Sequence, residues 1–171
     1  LGVPASFWNN LEKNYQESLV RIEERKRLEG EIQWLKNFPV RDLTKIGLLP
    51  QARDKAETLS SLFSFYGVSS SSAWKNVWYG KTAVFRKSPV FEQSPESVSA
   101  WLRIGELKAQ KIDCSPFDKN IFQGSLEKIR EQLVQKPIEK SWPDLVRWCA
   151  QAGVAVVCVP ELNKTHLSGA T

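Results

Sequence analysis

The sequence predicts a mainly α-helical protein: a multi-helical module with a long N-terminal helix, followed by the start of an α+β domain with one or two strands. Apolar side chains recur at steps of three and four along most of the chain, which is typical of one face of a helix. Capping residues, prolines and glycines stand where these patterns begin and end. Near the C-terminus, six consecutive apolar residues, four of them valine, indicate a strand covered on both faces.

The first helix is predicted to extend from about Ala5 to Asn37. One apolar stripe is followed by a charge run at residues 23–27 and then by further apolar positions. A helix of that length, roughly 50 Å, is longer than a small domain needs. It favours a connector between two bodies or a strut in a dimer, with two broken helices as the alternative. The stripe consists of Trp8, Leu11, Tyr15, Leu19 and Ile22.

The middle of the chain is predicted to be a module of shorter helices. Gly47 and Gly67 are expected to end two of them in the left-handed conformation. Trp74 and Trp78 lie one helical turn apart, a spacing that favours core packing over a platform for stacking nucleic-acid bases. The expected helices cover residues 40–46, 52–66, 94–112 and 118–135, and a further helix carries Trp74 and Trp78 after a cap among residues 69–72, with a loop at residues 79–93.

A boundary is predicted at residues 136–140, around Pro137. Ser141 is expected to cap the next helix, with Pro143 in its first turn and Gly153 at its end. Strands are then expected at residues 154–159 and 165–170. A strand covered on both faces needs neighbours, and no earlier segment has a strand pattern. We therefore expect this chain to be part of a longer protein.

Composition and charge indicate which partners and which cellular compartment the chain has. The 171 residues carry a net charge of +5, but their 24 basic residues are interleaved with 19 acidic ones. A mixed solvated surface is therefore favoured over a DNA-contacting patch. The three cysteines form no C-x-x-C pair, and Cys149 and Cys158 are expected on apolar faces. No apolar run is long enough for a membrane span, so a reduced, cytoplasmic protein without a membrane partner is predicted.

The residues that could carry chemistry are few. His166 is the sole histidine, so the H-E-x-x-H metal motif is absent. Cys158 and His166 supply at most two ligands, which is weak support for zinc. Glu127 and Glu131 stand beside basic residues and indicate a solvated helix face. We predict no catalytic, cofactor-binding or metal-binding residue and no enzyme activity for this chain alone. Arg86 and Lys87, in the loop at residues 79–93, are the candidate partner contacts.

Several segments resemble XRE-family transcriptional regulators. Residues 1–15 contain G-V-x-x-x-F-W-x-N-L-x-x-x-Y, which resembles the closing helix of the helix-turn-helix (HTH) domain in HigA-type antitoxins. Other segments are similar to the helical middle of XRE proteins that continue into an ImmA/IrrE-like metallopeptidase domain. These are residues 38–40, 65–69, 85–88 and 100–106. Residues 149–157, 159–161 and 168–171 are similar to the opening helix and first two strands of that peptidase domain.

This resemblance implies a division of the chain by role. Residues 1–37 would be a long helix continuing from an HTH domain, residues 38–136 a helical middle module, and residues 137–171 the opening of a peptidase-like domain. In the family, the DNA-reading helices lie before residue 1 and the H-E-x-x-H helix lies beyond residue 171. No DNA contact or zinc ligand is therefore expected within this chain, and any zinc would belong to the longer parent protein.

The resemblance implies the non-catalytic central part of a transcriptional regulator of the toxin–antitoxin type. It would couple or dimerise the two ends, with DNA bound through an N-terminal HTH domain, a homodimer as the expected state and a toxin protein as a possible partner. Two alternatives remain open. The chain could be the regulatory part of a zinc metallo-endopeptidase, or a module that binds a toxin or ligand through the loop at residues 79–93.

Overall fold

The structure is a computed structural model that describes residue 2 and residues 4–80, 94–165 and 169–170. It confirms a mainly helical chain with a long N-terminal helix. The chain divides into two compact units, Leu1–Ser99 and Ala100–Thr171, which are described separately below. The domain boundaries predicted after residues 37 and 136 stay predictions.

The first unit consists of helices joined by short turns. The predicted long helix is one continuous α-helix, α1, whose 27 residues end at Glu31 and pass directly into a tighter 3-10 turn that ends at Asn37. After α4, the chain continues through a π-helical segment, Lys75–Tyr79. The α-helices of this unit are α1 (Ala5–Glu31), α2 (Val40–Lys45), α3 (Lys55–Tyr66) and α4 (Ser71–Trp74).

Local chemistry determines where α3 and α4 begin and end. The Asp54 side chain accepts a hydrogen bond from the Glu57 amide at 2.9 Å and so caps α3, because the first amides of a helix lack intrahelical partners. Gly67 ends α3 with φ 68° and ψ 36°, the left-handed conformation that glycine adopts without a steric penalty. The Ser70 hydroxyl accepts from the Ala73 amide at 3.1 Å and caps α4.

The core of the first unit lies beneath the C-terminal end of α1. Leu28 packs with Ala56, Leu59 and Phe63 of α3. Beside this cluster, aromatic rings meet mostly edge to face, with centroid distances of 4.3 to 6.1 Å. Aromatic pairs prefer this geometry over face-to-face stacking. Trp74 and Trp78 are 1% and 2% exposed, which confirms the prediction that both are core residues. The rings are those of Trp34, Phe38, Phe63, Tyr66, Trp74 and Trp78.

The second unit contains most of α5 (Pro95–Ala109), then α6 (Lys119–Gln135) and α7 (Ile138–Gln151). Asp118 caps α6 by accepting from the amides of Asn120 and Ile121. The rings of Phe117 and Phe122 lie 6.3 Å apart on either side of this cap. Helices α6 and α7 pack together, and the buried Ser125 hydroxyl is 3.2 Å from the Trp148 carbonyl oxygen, which accepts from it.

The prediction that Ser141 caps the last helix is wrong. Helix α7 begins one turn earlier, at Ile138, because the Pro137 carbonyl accepts from the amides of Lys140 and Ser141 at 3.1 and 3.2 Å. Ser141 is therefore buried within the helix, 1% exposed, and Pro143 lies inside the helix rather than in its first turn. A proline there has no N–H to donate to the carbonyl of Glu139, so α7 lacks one intrahelical hydrogen bond at this turn.

The predicted strands are not present in the described ranges. Residues 154–160 have no regular secondary structure, because a strand forms only where another segment supplies backbone partners. Side chains of α5 bind this backbone instead: the Lys108 ammonium donates to the Cys158 carbonyl at 2.7 Å, and the Trp101 indole to the Val159 carbonyl at 3.4 Å. The strand expected at residues 165–170 lies partly outside the described residues.

Candidate interaction surface

The N-terminal part of α1 has almost no contact with the rest of its unit. Every residue from Pro4 to Arg27 is exposed, and Leu28 is the first buried one. Isolated helices are marginally stable in water, and most helices in proteins depend on tertiary packing of an apolar face. This long exposed helix is therefore the feature of the described structure that most needs a functional explanation.

Polar side chains along α1 partly account for its helical conformation. Neighbouring turns are joined by ion pairs, of which Arg25–Glu29 and Arg27–Glu31 both measure 3.3 Å between charged atoms. Lys13 and Arg21 both pair with Glu17, at 3.9 and 3.7 Å. Each such pair contributes only about 0.2–0.5 kcal/mol. The ion pairs therefore support the helix but leave its apolar side chains in water.

The apolar side chains of α1 form one exposed stripe, the α1 stripe, which coincides with the stripe expected from the sequence. At about 100° per residue, its members lie roughly 100° to 180° around the helix axis from Leu28. Since Leu28 packs onto α3, most of the stripe faces away from the core of its own unit, while Ile22 also lines a groove between α1 and α3. Its members are Trp8, Leu11, Tyr15, Leu19 and Ile22, which are 57%, 51%, 57%, 37% and 52% exposed.

The α1 stripe is comparable in area with the largest apolar patch of an ordinary monomer. Aromatic side chains bury about 150–250 Å² each when they are covered, so five half-exposed apolar residues present roughly 500 Å². The largest apolar patch on an ordinary monomer is about 300–600 Å² and often functional. Phe7 adjoins the stripe, is 53% exposed, and meets Trp8 edge to face with ring centroids 5.5 Å apart.

Two acidic groups hold the other end of α1 in place. Asp54, the cap of α3, accepts from the Arg25 guanidinium at 2.9 Å. The Asp54 pKa lies below its usual value because the Glu57 amide and the Arg25 charge favour the carboxylate, although desolvation opposes them. Glu31 accepts from the Ser71 amide at 2.9 Å. Desolvation raises the pKa of Glu31, but the hydrogen bonds with Ser71 and the Arg27 charge outweigh it, so the net change is downward.

A groove of about 670 Å³ separates α1 from the N-terminal part of α3. Its lining includes the apolar residues Leu28 and Ala56 and the charged residues Arg21, Arg53 and Glu57. Cations and carboxylates alternate around it, so the groove selects for neither sign of charge. It therefore contributes less to a binding hypothesis than the α1 stripe does.

The structure describes only some of the residues that the sequence analysis named as candidates. Arg86, Lys87 and His166 lie outside the described residues, so their proposed contacts stay predictions. Cys149 is buried, and burial raises the pKa of its thiol. Cys158 is exposed rather than placed on an apolar face, which corrects that expectation.

Glu127 and Glu131 are both exposed, in agreement with a solvated helix face. Among the residues that the structure describes, no group of three or more His, Cys, Asp or Glu side chains could hold a metal ion. Within the same ranges, no helix has both the length and the apolar character that crossing a bilayer requires.

Sequence reasoning identified the α1 stripe but not the two acidic contacts that anchor α1. The Asp54 cap had a local signal, since an aspartate three residues before a glutamate is a typical helix start. The Glu31–Ser71 contact had no local sequence signal, because it joins residues 40 positions apart.

No family model, curated protein or solved structure matches this chain.

Proposed function

We propose that this chain is a non-catalytic scaffold that self-associates through the α1 stripe. Its role is that of the central part of a cytoplasmic transcriptional regulator of the antitoxin type, coupling a DNA-binding end to a peptidase-like end. The observation that carries the proposal is the exposure of α1 from Pro4 to Arg27, with an apolar stripe turned away from the core.

The two parts of α1 differ in how much apolar surface they can still bury by association. The C-terminal end already packs through Leu28, whereas the stripe remains in water. Covering apolar surface contributes about 25 cal/mol per Å², so covering a stripe of roughly 500 Å² contributes about 12 kcal/mol before the cost of association is subtracted. Helix-turn-helix regulators commonly bind two-fold symmetric DNA sites as dimers, and a self-associating helix beside such a domain suits that geometry.

The test is the oligomeric state of the purified chain. We expect a dimer at micromolar concentration by light scattering after size-exclusion chromatography, and co-purification of untagged with tagged copies. The Leu11→Glu and Tyr15→Glu variants should be monomeric, because each places a carboxylate in the stripe. Asn10→Glu, on the opposite face of the same exposed helix, is the matched control and should remain dimeric.

Either of two results would overturn the proposal. A wild-type chain that is monomeric throughout the micromolar range would exclude self-association as its role. A dimer that persists in both Leu11→Glu and Tyr15→Glu would place the interface elsewhere. The cofactor-free part of the proposal is tested separately, since stoichiometric zinc in the purified chain would contradict it.

A further inference from the structure

The α1 stripe has an internal symmetry. The steps between its consecutive members are three, four, four and three residues, so the pattern reads the same from either end with Tyr15 at its centre. If two copies of α1 lie antiparallel and cross at Tyr15, Trp8 is level with the partner's Ile22. Leu11 is then level with the partner's Leu19. Every member of the stripe is therefore opposite another member, and none faces a charge.

We infer that the partner of the α1 stripe is a second copy of this chain, lying antiparallel, with the two-fold axis at Tyr15. This inference rests on the proposed function and specifies its interface. Two stripes of roughly 500 Å² each bury about 1,000 Å² when they meet, which reaches the size of a specific protein–protein interface. An area of this size is the minimum for a specific pair and corresponds to a weak, reversible dimer.

The charges beyond the stripe determine the direction of pairing. Lys26 lies roughly 160° around the axis from Leu28, in the same sector as the stripe. In a parallel pair, Lys26 would face the partner's Lys26. Like charges at that separation are destabilising. In the antiparallel pair, Lys26 is level with the partner's Pro4 and meets no cation.

A further feature agrees with this pairing. In the antiparallel pair, Leu28 faces away from the stripe and is level with the partner's Gly2, beyond the start of the partner's helix at Ala5. Leu28 therefore keeps its contact with α3.

The experiment uses disulfide trapping in the full chain, with Cys114→Ser and Cys158→Ser as the background and the buried Cys149 retained. Tyr15→Cys should cross-link to itself, because Tyr15 faces its own copy in either direction. Leu11→Cys and Leu19→Cys should cross-link to each other when the two variants are mixed, one of them with a size tag. Neither should cross-link to itself, since each lies about 12 Å along the axis from its own copy, too far for a disulfide. Lys13→Cys, on the opposite face, should not cross-link.

The outcomes separate this inference from the proposed function. Self-linked Leu11→Cys and Leu19→Cys, without the mixed product, would show a parallel pair and overturn the antiparallel direction while leaving self-association intact. Absence of any cross-link from Tyr15→Cys, in a background that is monomeric by light scattering, would overturn both. The mixed product at a yield several times that of either self-linked product is the expected result.

Discussion

The Glu31 carboxylate at the end of α1 accepts a hydrogen bond from the backbone N–H of Ser71, the first residue of α4, at 2.9 Å. Ser71 is at a helix start, where amides lack intrahelical partners and favour negative charge. One acidic side chain thus links two helices that are 40 residues apart in sequence. This contact makes the stability of the first unit dependent on pH.

The first prediction concerns the stability of the first unit at acidic pH. Because the pKa of Glu31 in the folded chain lies below its ordinary value of 4.5, the ionised form stabilises the fold above that value. The stabilisation is lost as the pH falls below about 4.5 towards the lowered pKa. We expect Glu31→Gln to reduce the free energy of unfolding by about 1 kcal/mol at pH 7. Below pH 4, the difference from wild type should shrink. Urea denaturation followed by tryptophan fluorescence measures both values.

Glu23→Gln is the control for this prediction, since it removes a carboxylate from an exposed position of the same helix. Its effect should stay within about 0.5 kcal/mol. If Glu31→Gln and Glu23→Gln gave the same pH profile, the Ser71 contact would not contribute to stability.

The second prediction compares two glycines in the second unit. Gly153 has φ +83°, and a Cβ there would lie 2.5 Å from the Phe117 amide nitrogen and 2.8 Å from the Pro116 carbonyl carbon. Gly153→Ala should therefore cost at least about 2 kcal/mol, since the left-handed conformation alone costs about 1–2 kcal/mol for other residues. Gly124 lies within α6 with open space around it, so Gly124→Ala should stabilise by about 0.5–1 kcal/mol. Urea denaturation followed by far-UV circular dichroism measures the free energy of unfolding of both variants. Equal effects of Gly153→Ala and Gly124→Ala would contradict this prediction.

The same two glycines illustrate what the sequence could predict. The role of Gly153 at a helix end was readable because helix termination depends on a few adjacent residues. The cap of α6 at Asp118 was readable for the same reason. The clash with Phe117 was not, because it requires knowing that the segment before α6 is fastened to the end of α7. That fastening consists of hydrogen bonds from the amides of Ser115 and Asp118 to the carbonyls of Ala150 and Ala152.

The failures of sequence reasoning have physical causes of the same kind. The valine-rich run at residues 154–159 has strong strand propensity, but propensity is realised only where a partner strand supplies hydrogen bonds. Ser141 is a good cap residue, but the preceding turn from Pro137 closes first and places it inside α7. By contrast, the residues that share the α1 stripe were predictable from the sequence, because a helix fixes the angle between residues around its own axis.

The third prediction concerns thiol reactivity. Cys158 is exposed, Cys114 is partly buried and Cys149 is buried. Burial raises the pKa of the Cys149 thiol, so both access and thiolate fraction slow its reaction. We expect alkylation of the native chain to modify Cys158 first and Cys149 last, with Cys149 reacting at the rate of a free thiol only in denaturant. Peptide mass spectrometry after timed alkylation measures the order. Rapid native modification of Cys149 would contradict the packing described for α7.

The last prediction tests whether α1 is anchored as described. Leu28 is 6% exposed and packs with Ala56, Leu59 and Phe63, so Leu28→Ala should lower the free energy of unfolding by about 2–4 kcal/mol. Val20, on the same helix, is 60% exposed, and Val20→Ala should change it by less than about 0.5 kcal/mol. Hydrogen exchange should quicken in α3 and in the last turns of α1 in the Leu28 variant alone. If instead the two variants unfolded at the same urea concentration, the end of α1 would be as loosely held as its exposed beginning. The helix could not then present its stripe in a fixed direction relative to α3.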